Sequence, residues 1–141
     1  MEKNNFHVTV RSYAENLDDF GLTESTESDT LTVDAKLTAE NGKITLSYKQ
    51  KSEGGECKTN LTVKDKTVTL TRSGAIESVM IFSEGKTTET LYSIPPYSFD
   101  ASIETKRIKS SLCSTGGTLE LLYFITVGGA KKKMRLSLTV Y

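Results

Sequence analysis

One histidine in 141 residues, two cysteines outside any CxxC spacing and no apolar run approaching a membrane span bound what this chain can be. A Ser-His-Asp or Cys-His nucleophile would have to be built on His7, which stands between Phe6 and Val8 in an alternating stretch, and no G-x-S-x-G turn is present. His7 with the distant Cys57 and Cys113 makes at most an improvised metal site, so neither a metal nor a cofactor is expected. The paired carboxylates Asp18 and Asp19 lie in a polar stretch that favours solvation over acid/base work. No motif supports an enzyme, and no catalytic residue is assigned.

The cysteine usage suits a reducing compartment, where each thiol is a small half-buried hydrophobe. The opening MEKNNFHVTV has neither a basic leader with an apolar run nor a small-residue cleavage site. A cytoplasmic protein without membrane association is expected. Global charge is also missing: 18 basic residues balance 18 acidic ones, which removes any overall field toward nucleic acid or anionic lipid. The balance is uneven, with 9 Lys/Arg against 12 Asp/Glu in residues 1–70 and 9 against 6 in residues 71–141.

What the chain has in abundance is period-two alternation, and the spacing of an amphipathic helix is found nowhere. Leu31, Val33, Ala35, Leu37 and Ala39 share one face. After Asn41-Gly42, a strong signal for a type I′ hairpin, Ile44, Leu46 and Tyr48 share the next. Gly54-Gly55, Lys64-Asp65-Lys66, Ser73-Gly74, Glu84-Gly85-Lys86, Pro95-Pro96, Gly116-Gly117 and Gly128-Gly129 punctuate the remaining runs.

Strands are predicted near 5–14, 29–40, 43–51, 57–64, 67–73, 77–83, 87–94, 98–112, 117–127 and 132–140. Residues 15–28, acidic and without alternation, are expected to form a flexible loop, with Phe20 and Leu22 as its apolar contacts. The long run after Pro96 should bend at a bulge near Thr105-Lys106-Arg107. Short connections imply antiparallel neighbours. The predicted fold is therefore a single all-β domain over 1–141, an antiparallel, mostly up-and-down β-barrel of about eight to ten strands. Leu31, Val33, Leu37, Ile44, Leu46, Val68, Leu70, Ile103, Leu121, Tyr123, Ile125, Leu136 and Leu138 should face one core.

From residue 71 onward the order of features is specific: Arg72-Ser73-Gly74, the strand Met80-Ile81-Phe82, Gly85, Tyr92, Pro95, Thr105 with Ile108, and Leu122-Tyr123 before a final hairpin. It resembles the YwiB-like family of small bacterial proteins of unknown function, and the resemblance implies a calycin-like, that is lipocalin-like, β-barrel. Ile94-Pro95-Pro96-Tyr97 departs from the family pattern, in which Thr precedes the proline and an aromatic and a Gly follow it. The resemblance carries no activity. Analogy with lipocalins suggests a small apolar ligand, although fold does not determine function.

Arg72 stands on the face of Val68 and Leu70 where an apolar side chain is expected. Either it caps one end of the barrel, bonded to loop carbonyls or to Glu77, Glu89 or Glu104, or it projects inward to anchor a ligand's acid group. The Ser-Gly that follows favours the cap. Tyr48, Tyr92, Tyr97 and Tyr123, with Thr105, are candidate lining residues for a ligand cavity, although each tyrosine also fits plain core packing. Lys106, Arg107, Lys109, Lys131, Lys132, Lys133 and Arg135 decorate the last strands as a weak basic patch, without the interleaved aromatics of an RNA platform. Lysines also blunt edge pairing. A barrel binding a small amphipathic or acidic ligand ranks first, a structural or protein-interaction module with a filled interior second, and an enzyme third. A barrel of about eight strands is just wide enough for either interior.

Overall fold

The computed structural model describes residues 5–52, 55–94 and 96–141. Glu53, Gly54 and Pro95 lie outside them, so the turns anticipated at Gly54-Gly55 and Pro95-Pro96 are only partly described. Ten strands follow one another: β1 (Phe6–Leu17), β2 (Thr23–Glu40), β3 (Lys43–Ser52), β4 (Gly55–Lys64), β5 (Thr67–Gly74), β6 (Glu77–Ser83), β7 (Thr87–Ile94), β8 (Tyr97–Ser110), β9 (Gly117–Val127) and β10 (Ala130–Val140). Each pairs antiparallel with its neighbours in sequence, and β1 pairs with β10 to close the barrel. Closure pairs the two terminal strands that a ten-strand meander would otherwise leave as edges, although β2 meets β3 only from Ala35 to Glu40 and β6 meets β7 only at Glu77–Ser93 and Ser78–Tyr92.

The turn chemistry explains the registers. Asn41 and Gly42 both have positive φ, 52° and 76°, as a type I′ hairpin requires, and Glu40 then sits opposite Lys43. Asp65 and Lys66 adopt the same region between β4 and β5. The long strand β8 shifts register between Thr105 and Arg107, the expected bulge, and the bend is held from outside. Ile108 donates its backbone N–H to Glu84 Oε1 at 2.7 Å, and Thr105 exchanges backbone hydrogen bonds with Gly85 and Lys86.

The turns after β2, β4, β6 and β8 lie with the start of β1 and the end of β10 at one end of the barrel, here the lower. There His7 and Tyr141 exchange backbone hydrogen bonds of 2.7 and 3.0 Å. The connections after β1, β3, β5, β7 and β9 lie at the upper end. Inward-facing Val8, Leu46, Leu61, Val68, Phe82, Ile103, Leu119 and Leu138 have essentially no solvent exposure and fill the lower half. Each such side chain contributes roughly 1.5–3 kcal/mol by burial. Every residue of the expected core faces inward in this sense: Leu31, Val33, Ile44 and Ile125 are half-buried and the other nine buried. Ala39 is exposed instead, because the β2–β3 hairpin runs past the packed region.

The loop expected at 15–28 shrinks to residues 18–22. Residues 15–17 continue β1 and Thr23–Ser28 begin β2, the two paired from Tyr13–Ser28 to Leu17–Thr23. Alternation is absent from these residues because β1 and β2 there stand above the packed core, and neither face has apolar atoms to cover. Phe20 and Leu22 make no core contact. They are 89% and 65% exposed.

Candidate functional site

The inward face changes character along each strand. On β1 it reads Phe6, Val8, Val10, then Ser12 and Ala14; on β2 the opposed positions are Ala35, Val33, Leu31, then Asp29 and Glu27. Large side chains fill the lower half, and small or charged ones leave the upper half open. A cavity of about 830 Å³ results, walled by Leu70, Met80, Ile125, Val127, Met134 and Leu136, with Ile76, Ile94 and Phe99 toward its mouth. That volume falls within the range of roughly 300–1,000 Å³ common for small-molecule sites.

Arg72 lines this cavity. Its place follows from register, because Thr59 on β4 and Ser78 on β6 lie directly opposite it on either side, all three on the inner face below the end of β5 at Gly74. Among the described residues the guanidinium has no carboxylate within ion-pair distance and no hydrogen-bond acceptor. The end-cap assignment fails for that reason. Of its proposed counter-ions, Glu104 is taken by Lys106 Nζ at 2.6 Å and so held below the usual carboxylate range, and Glu77 and Glu89 are exposed without an ion pair to Arg72.

Tyr92 and Tyr123 line the same cavity. Burial pushes the Tyr123 hydroxyl up to about 12 against the pull of the Arg72 charge, with Tyr92 adding to the rise. The Tyr123 ring packs edge-on against Phe82, 4.7 Å between centroids, which seats it on the filled half. Tyr48 is buried and also raised, by burial first, while Arg72 and the Thr59 hydroxyl pull the other way; that hydroxyl contact falls short of hydrogen-bond geometry. Tyr48 borders a second cleft of about 1160 Å³, between β2 and β3, which pair only from Ala35 to Glu40 and part above. Thr105 is fully buried opposite Tyr123 and is not part of the cavity wall. Of the candidate residues, the structure places Arg72, Tyr92 and Tyr123 in the cavity wall, Tyr48 beside it and Thr105 beneath, whereas Tyr97 is exposed and outside the wall.

Sequence reasoning missed Thr59 and Ser78. They and Thr105 are buried, and their hydroxyls have no hydrogen-bond partner among the described residues. A buried hydroxyl in that state costs about 1–3 kcal/mol. The available signal was parity: polar residues at positions where β4 and β6 otherwise read Leu61, Val63, Met80 and Phe82.

The basic patch divides by the same parity. Lys132 turns to the cavity rim, near Glu27 and Asp29, while Arg107, Lys109 and Arg135 line a shallow outer groove of about 280 Å³ with Glu120. Lys133 lies 4.0 Å from Glu15. Phe124 carries Lys131 and Lys106 over its ring at 4.8 and 5.7 Å, so one aromatic does interleave with these cations. His7 Nδ1 stands 3.0 Å from Asp34 Oδ1 on the outer face. Cys57 and Cys113 are free thiols, and among the described residues no cluster of three or more His, Cys, Asp or Glu is placed to hold a metal.

The family model described as "Domain of unknown function (DUF1934)" matches residues 19–138. The chain belongs to the DUF1934 family. The crystal structure of the ywiB protein from Bacillus subtilis superposes with a TM-score of 0.81 at 23% identity, covering 98% of this chain and 92% of that one. The YwiB-like resemblance and the all-β barrel therefore stand; at that identity the likeness concerns the fold. No curated protein matches the chain. Among the described residues no helix is long and apolar enough to cross a membrane, which says nothing of membrane passage by strands.

Proposed function

We propose that this DUF1934 protein is a non-catalytic barrel that binds a small amphipathic molecule in its upper half. The observation that carries the reading is the cavity of about 830 Å³ above a filled core, with an inward guanidinium that no group among the described residues neutralises. A half-buried arginine in a cavity wall, without a partner among the described residues, leaves its charge available for recognition. Arg72, Tyr92 and Tyr123 are the binding residues, with Tyr48 and Thr105 supporting them from beside and beneath. The free thiols of Cys57 and Cys113 support a cytoplasmic location.

A protein-interaction role is the second reading. Val79, Ile81 and Leu91 are exposed together on the outer faces of β6 and β7, and that patch favours it. Native mass spectrometry of protein purified from its own host decides between them. A co-purifying small molecule, lost on substituting Met80 and Ile125 by Trp to fill the cavity, is the expected result. Protein that leaves its host without one, and takes up no apolar dye in its cavity, would favour the interaction module.

A further inference from the structure

The cavity wall is sorted by chemistry. Arg72, Tyr92 and Tyr123 come from the alternate strands β5, β7 and β9 and bring one permanent positive charge and two phenolic groups into one region. The Tyr123 hydroxyl stays protonated at neutral pH and is available as a donor. Leu70, Met80, Ile94, Ile125 and Met134 supply hydrocarbon and thioether surface. The remaining ionised groups, Glu27, Asp29 and Lys132, belong to the rim, where Glu27 also accepts a hydrogen bond from Asn16 Nδ2 at 3.2 Å. The neighbours of Arg72 across the ladder are the buried hydroxyl side chains of Thr59 and Ser78, so no acid competes for its charge from the flanking strands.

We infer that the ligand is a singly charged amphipathic acid, its carboxylate set against Arg72 and the Tyr92 and Tyr123 hydroxyls and its hydrocarbon chain laid along the apolar wall. The inference rests on the reading of the cavity as a binding site and adds the charge and orientation of what enters it. A guanidinium presents parallel N–H groups that fit the two oxygens of a carboxylate. One cation offsets one negative charge, so a dianionic phosphate head leaves a second charge without a counter-charge at Arg72, and the rim, where Glu27 and Asp29 outnumber Lys132, opposes it further. A cationic head is repelled by Arg72. A neutral head displaces water from the guanidinium and returns no counter-charge.

The test uses the full chain, freed of bound lipid by reversible unfolding, and titrates it calorimetrically with dodecanoate, dodecyl phosphate, dodecanol and dodecylamine. Dodecanoate should bind about tenfold or more tighter than each of the others, the ratio a charge-assisted hydrogen bond supplies. Arg72→Met should erase that preference while dodecanol affinity stays within about threefold, and Arg72→Lys should restore part of it. Tyr123→Phe, which keeps the ring against Phe82, should weaken dodecanoate alone and serves as the readout if Arg72→Met does not fold. Equal or tighter binding of the alcohol, amine or phosphate, or an unchanged preference in both variants, overturns the head-group assignment and leaves the binding barrel standing. Failure of all four probes to bind overturns both.

Discussion

Arg72 on β5 and Tyr123 on β9 oppose each other's chemistry inside one cavity: the arginine charge pulls the Tyr123 hydroxyl toward ionisation, and burial outweighs it, leaving that hydroxyl at about 12. A raised value means the folded protein holds the proton more tightly than the unfolded chain, whose tyrosine titrates near about 10. The stability this confers is fully present below about pH 10 and is lost as pH rises through about 12. Two pH units correspond to about 3 kcal/mol. Urea unfolding at about pH 9 and about pH 12 should show wild type losing more stability than Tyr123→Phe by about 2–3 kcal/mol. Equal losses would mean that the hydroxyl reaches water.

Replacing Arg72 by Met should leave the fold nearly as stable as before, within about 1 kcal/mol, because the guanidinium has no partner to lose among the described residues and its stem is matched by the methionine chain. Loss of about 1–3 kcal/mol in chemical denaturation is what an end cap bonded to carbonyls or a glutamate would give. That outcome would restore the capping role.

Truncations should separate the two halves of the barrel. Leu46→Ala and Leu121→Ala remove fully enclosed side chains from the filled half and should cost about 2–5 kcal/mol each. Ile125→Ala in the cavity wall should cost less than about 2 kcal/mol, since space beside it is already open. Equal costs, measured as unfolding free energies, would mean that the upper half is packed in solution.

That division marks where sequence stops being informative. Strand order, the Asn41-Gly42 turn and the Thr105–Arg107 bulge were legible because each depends on residues close together in the chain. Parity also carried Arg72 inward with Val68 and Leu70, and the capping argument from Ser73-Gly74 pulled the other way. It failed because β5 continues through Gly74 and keeps Arg72 below the rim. Whether a cavity exists depends on the summed volume of inward residues at one height on ten strands. Only the relative shifts of those strands bring Ser12, Ala14 and Ser78 to the upper half.

Gly74 itself should prove less replaceable than Gly42. Both have positive φ, 110° and 76°, so alanine strains either. At Gly42 a Cβ meets open space, whereas at Gly74 it collides with the Glu56 carbonyl oxygen, the same oxygen that accepts from the Ala75 N–H at 3.1 Å. Gly42→Ala should cost about 1 kcal/mol by strain alone, and Gly74→Ala distinctly more because the β4–β5 contact must open. Matching unfolding midpoints for the two variants would contradict that contact.

The last prediction concerns the hydroxyls on either side of Arg72. Thr59 and Ser78 are buried and their oxygens have no hydrogen-bond partner among the described residues, so each carries a desolvation penalty without a compensating bond. Valine has the shape of threonine without the hydroxyl. Thr59→Val should therefore be neutral or stabilise the ligand-free protein by up to about 1 kcal/mol, and Ser78→Ala should lie close to neutral. The opposite sign is informative as well. The Tyr48 hydroxyl lies close enough to Thr59 to feel it, and a hydrogen bond between the two would reverse the expected sign. Destabilisation by more than about 1 kcal/mol in Thr59→Val, abolished when Tyr48→Phe is already present, would place that bond in the solution structure. An additive pair with no loss in either leaves both hydroxyls as unsatisfied neighbours of an unneutralised arginine, the arrangement an entering acid would complete.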